Sequence, residues 1–252
     1  MEVHPHTHPS DPDSHRGKKK FTHYLWEFLM LFLAVFCGFL AENQREHLVE
    51  LRHEKEFMKS LVRDLELDTL QLDNLKKYRN VRLSIMDSLF VFFANNSAAK
   101  IPARQYGLIL QLFGHAAFFQ NSGTLDQLRN SGGLRLIRNR TIVDSIEAYD
   151  QQIKRMSLRD IYETDFMFEN KKLAQKLFEG RTALKILADT AYFKKQVSSD
   201  LTIPFNEQYM DEYLNSLITF QNIVKQNMGL QAFIKNKAGT LLILIKKEYH
   251  LE

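Results

Sequence analysis

The sequence predicts an all-α protein in which an N-terminal transmembrane helix continues into a bundle of long helices. Glycine and proline are scarce, at 10 and 5 of 252 residues, which is typical of long helices rather than of a β-sandwich or barrel. One uninterrupted apolar stretch lies near the N-terminus, and several blocks after it carry apolar residues at helical spacing. Together these observations predict a membrane anchor followed by a single helical domain.

Residues 1–20 are predicted to form a disordered tail, because they hold three of the five prolines and almost no large apolar side chain. His4, His6 and His8 alternate within this tail, and histidine-rich tracts can hold a divalent metal weakly. Nothing in the tail pre-organises these imidazoles. We therefore interpret them as part of a solvated polar segment and predict no metal site.

Residues 21–41 are predicted to form a transmembrane signal-anchor helix whose partner is the lipid bilayer. The core of this segment, residues 24–41, contains one charged side chain, Glu27, and as a helix it is about 27 Å long. Its ten Leu, Phe and Val residues favour insertion by roughly 3–6 kcal/mol in total. Glu27 lies one turn from the end, so its carboxylate can reach the interface.

The charges that flank the anchor predict its orientation. A dense basic run within residues 16–20 precedes it, whereas the flank after it mixes basic residues with glutamates. The positive-inside rule therefore favours a cytoplasmic N-terminus and a periplasmic domain at a bacterial inner membrane. A cleaved signal peptide is the competing interpretation, but residues 39–41 supply only one small residue for cleavage. We predict an uncleaved anchor.

The anchor helix is predicted to continue into the domain that spans residues 42–252. No glycine or proline occurs between Gly38 and Pro102, so nothing ends the helix before the Asn95-Asn96-Ser97 sequence. An apolar stripe at coiled-coil spacing supports this long helix. The stripe consists of Met58, Leu61, Leu65, Leu72, Leu75, Tyr78, Val81, Ile85, Leu89 and Phe92.

Four glutamates, Glu42, Glu46, Glu50 and Glu54, follow the anchor at a spacing of four residues. Like charges at this spacing disfavour an isolated helix. The face is either kept acidic for a cationic partner or a neighbouring protomer, or it is an ordinary solvated helix face. A returning last helix would offer the Lys246-Lys247 pair as an intrachain partner.

Residues 103–138 are predicted to form an insertion of short helices. The Ser131-Gly132-Gly133 sequence is expected to end one of them, since glycine tolerates a positive φ. Leu134, Leu136 and Ile137 are expected to enter the core, and Asn139 to cap the next long helix. A glycine-rich turn beside arginines at 135, 138 and 140 can also form an anion nest, but it lacks phosphate-loop spacing. We interpret it as a turn between core helices.

The second half of the domain is predicted to contain two more long helices. The first runs from Asn139 to Gly180, and a shorter helix follows at residues 182–188. Residues 189–205 are expected to form an irregular connector, and the last helix begins near Asn206. The apolar run at residues 241–245 is too short to span a membrane.

Three segments resemble a family of single-pass bacterial membrane proteins of unknown function. They are HYLWEFLMLFLAVFCGFLAEN, the KEFMKSLVRDLELDT sequence that follows it, and SGGLRLIRN before a long helix. The resemblance covers nearly the whole chain after residue 20. It implies an anchor followed by a helical domain, and it implies no activity, substrate or catalytic residue.

The sequence contains no recognisable catalytic or cofactor-binding motif. There is no His-Glu-x-x-His, no pair of Glu-x-x-His motifs and no Gly-x-Ser-x-Gly. His115 follows Gly114 in a predicted loop, and we interpret it as a surface residue. The one cysteine, Cys37, lies in the anchor, which excludes an intramolecular disulfide. The net charge of +4 is spread along the chain, so nucleic-acid binding is not predicted.

We therefore predict that the chain is no enzyme but a membrane-anchored helical interaction or scaffold module that binds a protein partner or a second copy of itself. The alternative is an extracytoplasmic sensory ligand-binding domain that works with a separate signalling partner. A buried pocket with convergent polar groups would favour sensing. A solid core with an exposed apolar face would favour the interaction module.

Overall fold

A computed structural model describes residues 16–96, 100–181, 184, 202–204 and 206–251, with side chains from Phe21 onward. It confirms the predicted all-α fold class. The α-helices within these residues are α1 (Arg16–Asn95), α2 (Ala103–Gln111), α3 (Gly123–Asn130), α4 (Arg140–Leu177) and α5 (Met210–Tyr249). Short 3₁₀ turns at Gly133–Leu136 and Glu207–Tyr209 precede α4 and α5, and two short strands, β1 (Lys100–Pro102) and β2 (Thr202–Pro204), pair with each other.

The chain divides into two compact units, Met1–Glu54 and Lys55–Glu252. The described part of the first unit is helical, and every side chain in it from residue 21 to residue 48 is exposed. Among the described residues, α1 is the one helix long and apolar enough to cross a membrane. After the apolar stretch, Glu42 forms an ion pair of 2.5 Å with Arg45, so one glutamate of the acidic face is neutralised locally.

The second unit is a helical bundle in which α1, α4 and α5 supply the long helices. Ion pairs from Arg79 to Asp160 and from Arg82 to Glu163 show that α1 and α4 run in the same direction. The α5 helix runs the opposite way, because Lys246 near its end bonds Glu66 near the start of α1 in this unit. The glutamates at residues 42–54, the predicted partners of Lys246 and Lys247, belong to the first unit, so that pairing stays a prediction.

Two apolar cores lie one above the other along these helices. The first core joins residues 58–75 of α1, 142–156 of α4 and 234–245 of α5. The second core joins residues 85–89 of α1, 167–177 of α4 and 213–224 of α5. Between them, each long helix carries polar residues at its buried positions.

The predicted apolar stripe of α1 is correct up to Leu75 and again at Ile85 and Leu89, which are buried in the second core. Three other positions of the stripe differ from the prediction. Val81 is 60% exposed, and Tyr78 and Phe92 are only half-buried. The buried positions keep a regular alternation of three and four residues, which passes through Arg79 and Arg82 instead. Sequence hydrophobicity favoured Val81, but its position on the outer face of α1 is fixed by the period of the helix.

The short helices of the predicted insertion form a layer of the bundle. Residues of α2, including Tyr106 and Ile109, pack in the second core, and Leu125 and Leu128 of α3 pack in the first core. The segment between α2 and α3 therefore descends along the bundle from the second core to the first. The bundle therefore has four layers that alternate in direction along the chain: α1 runs up, α2 with α3 runs down, α4 runs up and α5 runs down. The second layer, α2 with α3, is broken in its middle by the non-helical residues between these two helices.

The turn before α4 largely follows its sequence prediction. Gly132 has a left-handed φ of 68°, and the Asn139 side chain accepts a hydrogen bond of 3.0 Å from the Thr141 backbone N–H. Ile137 is 1% exposed and belongs to the first core. Leu134 and Leu136 are only half-buried, because the 3₁₀ turn directs successive side chains to different sides.

Replacing Gly132 with valine is expected to lower the free energy of unfolding by about 1–2 kcal/mol, because a β-branched residue is poorly tolerated at positive φ. The matched control is Gly123→Val, since Gly123 begins α3 and has open space where a Cβ would lie. We expect the control to change stability by under about 0.5 kcal/mol. Thermal and chemical unfolding followed by circular dichroism measures both, and equal effects of the two variants would contradict the prediction.

The predicted connector at residues 189–205 differs from the structure where it is described. Ile203 lies opposite Ile101 in the antiparallel pair of β1 and β2, and both side chains are buried. The sequence analysis predicted no strand here, because three residues are too few to show the alternation of a strand. The helix predicted at residues 182–188 lies outside the described residues except for Leu184. The α5 helix continues through Gly229 and Gly239 without interruption.

A buried polar layer as the candidate functional site

Six polar side chains from the three long helices meet between the two apolar cores, and we call them the polar layer. They are Arg79 and Arg82 of α1, Asp160 and Glu163 of α4, and Asn227 and Gln231 of α5. Five of the six are less than 9% exposed, and the Asp160 side chain is 13% exposed. Each pair occupies consecutive inward-facing positions of its helix, so the folding of three regular helices places the six side chains at one level.

Arg79 is the centre of the polar layer. Its guanidinium donates hydrogen bonds of 2.7 Å to Asp160 Oδ1 and to Glu163 Oε2. It donates a third bond of 2.9 Å to Gln231 Oε1. With 1% of its side chain exposed, Arg79 is therefore bound to α4 and α5 at the same time.

Arg82 extends the polar layer towards the broken second layer of the bundle. It donates to Glu163 Oε1 at 2.9 Å, to the Tyr78 hydroxyl at 2.8 Å and to the Gly114 carbonyl at 2.5 Å. Its guanidinium carbon also lies 4.8 Å from the centre of the Tyr78 ring and 5.3 Å from the Phe220 ring. These contacts surround the charge with acceptors and aromatic faces.

The α5 amides complete the polar layer. Asn227 donates to Glu163 Oε2 at 2.8 Å, and Gln231 donates to the backbone carbonyl of Leu72. Glu163 thus accepts hydrogen bonds from Arg79, Arg82 and Asn227. A buried carboxylate requires this number of donors, because its desolvation costs several kcal/mol.

The broken second layer explains why α1 directs charged side chains towards it, both in the polar layer and in the preceding turns of α1. A non-helical segment leaves backbone groups without partners, and buried ones must be satisfied. Arg82 bonds the Gly114 carbonyl, Asp68 accepts from the Asn121 backbone N–H at 2.8 Å, and Asp64 accepts from the Thr124 N–H at 3.1 Å. Side chains of α1 thus replace the hydrogen bonds that an unbroken helix would have made itself.

The charges of the polar layer balance, with two guanidinium groups against two carboxylates. Burial raises the pKa of the Asp160 carboxyl above its ordinary value, although Arg79 opposes this shift. A carboxyl whose pKa is raised in the folded state favours folding more strongly as the pH falls through that pKa. Asp160 therefore opposes acid denaturation.

The polar layer leaves little room for a ligand. A cavity of about 10 Å³ lies beside it, lined by Arg82, His115, Asp160, Glu163 and Thr164 among others. This volume corresponds to about one water molecule. His115 is exposed, as expected of a loop residue, but its Nε2 lies 3.2 Å from the Thr164 hydroxyl oxygen, so it closes the outer side of the layer.

The other residues singled out by the sequence are not brought together into one site. Arg135, Arg138 and Arg140 are exposed around the turn that contains Gly132, and Cys37 is exposed in the first unit. Within the described residues, no group of three histidine, cysteine or acidic side chains is placed to hold a metal ion. The histidines at positions 4, 6 and 8 lie outside those residues.

Sequence reasoning missed the polar layer, although a signal for it was present. Between Leu75 and Met86, the three-four spacing of α1 passes through Arg79 and Arg82. The same spacing in α4 passes through Asp160 and Glu163. Two basic residues at core positions of one helix and two acidic residues at core positions of another helix indicate a buried contact between the two helices.

The outer face of α4 is the second notable feature of the bundle. Leu158 is 70% exposed and Ile161 is 60% exposed, and Tyr162 and Phe168 are also exposed. The buried residues of α4, such as Ile153, Met156 and Met167, lie on the opposite side of the helix at its 3.6-residue period. A run of large exposed apolar side chains on one face indicates an interaction surface.

Comparison with known proteins found no match, since no family model fits the chain and no curated protein or solved structure is significantly similar. The resemblance to single-pass bacterial membrane proteins therefore stays a prediction.

Proposed function

We propose that the protein is a membrane-anchored helical interaction module. Residues 21–41 anchor it in a bacterial inner membrane, with the N-terminus in the cytoplasm and the bundle in the periplasm. The apolar stretch of α1 and the basic run at residues 16–20 support this arrangement. The bundle then presents its outer surface to a protein partner or to a second copy of the chain.

The observation that carries the proposal is the apolar outer face of α4, together with the packed interior behind it. The polar layer joins its own charged groups to each other and leaves a cavity of about 10 Å³. A sensory domain would need an enclosed pocket large enough for a ligand, on the order of 300–1,000 Å³ for a small molecule. The openings of about 350 Å³ and 320 Å³ among the described residues are instead grooves at the bundle surface. Exposed Leu158 and Ile161 instead offer area that a partner can bury.

Site-specific photo-crosslinking in native membranes tests this proposal. A crosslinking phenylalanine analogue at Leu158 or Ile161 is expected to give a discrete protein adduct, either with another protein or with a second copy of the chain. The matched controls are Asn74 and Lys77, exposed polar positions on α1, and these are expected to give at least about tenfold less adduct. Equal, diffuse labelling from all four positions would contradict an interaction module.

A further inference from the structure

We propose that the groove between α4 and α5 binds an acidic helical segment of a partner protein, an inference that deepens the proposed function and rests on it. The groove has a volume of about 320 Å³ and is lined by Arg155, Arg159, Gln226, Gly229, Leu230 and Phe233. Both titratable groups in this lining are arginines. The groove is therefore basic as well as apolar.

The charges of these two arginines are not neutralised within the described part of the chain. Arg159 donates hydrogen bonds of 2.8 Å to Asn227 Oδ1 and 2.9 Å to Gln226 Oε1, and both acceptors are neutral amides. Arg155 is exposed, and no described carboxylate lies within ion-pair distance of it. The acidic residues of the nearby polar layer are already bound to Arg79 and Arg82. The groove consequently keeps two positive charges for an incoming anion.

Arg159 is also held in place before any partner arrives. Its amide partner Asn227 is itself fixed by a hydrogen bond of 2.8 Å to the buried Glu163. This connection links the rim of the groove to the polar layer and limits the side-chain freedom of Arg159. A pre-positioned guanidinium loses less conformational entropy on binding a carboxylate than a free one does.

The α5 side of the groove adds to the positive potential. No aspartate or glutamate occurs between Glu212 and Glu248, while five lysines do. One of them, Lys237, has its ammonium nitrogen 5.5 Å from the centre of the Phe233 ring. Between residues 213 and 247 of α5, an acidic partner would therefore meet only basic and neutral side chains.

The shape of the groove favours a protein segment over a small anion. Gly229 has no side chain and meets no atom within 4 Å of an ideal Cβ position, so the backbone of α5 is accessible there. Phe233 is 47% exposed beside it, and Leu158 and Tyr162 are exposed one turn from the two arginines. An amphipathic helix can place apolar side chains here and pair carboxylates one turn apart with Arg155 and Arg159. A small anion would leave these apolar side chains uncovered.

The test uses the full chain in native membranes, with a photo-crosslinking phenylalanine analogue at Phe233. We expect an adduct with a segment of another protein that carries aspartate or glutamate residues one helical turn apart. Arg155→Glu should lower the adduct yield at least tenfold, and Arg140→Glu, an exposed charge reversal on the same helix, should leave it unchanged. Exchange for lysine of the one captured acidic residue that faces position 155 should restore the yield with Arg155→Glu, while the acidic residue that faces Arg159 is kept.

Arg155→Glu is chosen because no hydrogen bond or ion pair links Arg155 to another described residue, so the variant keeps its fold, and an unchanged melting curve verifies this. No adduct at Phe233, an adduct with lipid or with a second copy, a captured segment without acidic residues, or a yield insensitive to Arg155→Glu would each overturn the inference. Adducts at Leu158 and Ile161 with none at Phe233 would overturn the groove inference and leave the interaction module standing. Their absence at all three positions would overturn both.

Discussion

Replacement of Glu163 by alanine is expected to lower the free energy of unfolding by about 3–5 kcal/mol. The substitution removes the carboxylate that Arg79 and Arg82 share, and it removes one of the two acceptors of the Asn227 amide. Both guanidinium groups stay buried with fewer acceptors, and an uncompensated buried charge is costly. The expected loss is a large fraction of the 5–15 kcal/mol that is typical of folded domains.

Chemical unfolding of the detergent-solubilised chain, followed by circular dichroism, measures this loss. Glu169→Ala is the matched control, because Glu169 lies on the same helix and pairs with Lys172 at the exposed surface. A surface pair contributes at most about 1 kcal/mol. Glu163→Gln keeps one amide acceptor without the charge, so it should fall between the other two variants. If Glu163→Ala and Glu169→Ala have equal effects, water compensates the arginines and the polar layer is not structurally essential.

Two arginines placed in the anchor are expected to abolish membrane insertion. Leu33→Arg together with Val35→Arg costs about 6–8 kcal/mol, from roughly 2.5–3.5 kcal/mol per arginine and the loss of two apolar residues. This exceeds the roughly 3–6 kcal/mol with which the apolar residues of the anchor favour insertion. Both positions lie near the middle of the apolar stretch, so an arginine there reaches the interface with difficulty.

Alkaline extraction of membranes measures the inserted fraction. The double-arginine variant should leave the membrane pellet or be degraded, whereas the control Leu33→Met with Val35→Met should remain inserted like the parent chain. A double-arginine variant that still resists extraction would show that another part of the protein holds it at the membrane.

The anchor could be predicted from the sequence, whereas the polar layer around Glu163 could not. The anchor is a local property, because insertion depends on the summed hydrophobicity of one continuous segment. The end of α1 at Asn95, the cap at Asn139 and the positive φ of Gly132 were predicted from the sequence for the same reason. Each depends on a few adjacent residues whose backbone preferences are strong.

The polar layer and the basic groove depend on contacts between residues far apart in the chain. Arg79 and Glu163 are separated by 84 positions. The residues around each of them in the sequence do not indicate that the other will be its hydrogen-bond partner. Likewise, Arg155 and Phe233 form one groove only because α4 and α5 pack side by side. The strand at Thr202–Pro204 also required its partner, since three residues have no stable extended structure without pairing.

Within the described residues, the sequence was sufficient to predict the five helices, their approximate ends and the stretch that is apolar enough for a membrane. These properties follow from short-range backbone preferences and from the period of apolar residues along one helix. The parallel course of α1 and α4, the opposite direction of α5 and the burial of charged side chains beside the broken second layer are visible only in the folded bundle. They could not be predicted from the sequence, because a buried polar group finds its partners wherever the packing of other helices places them.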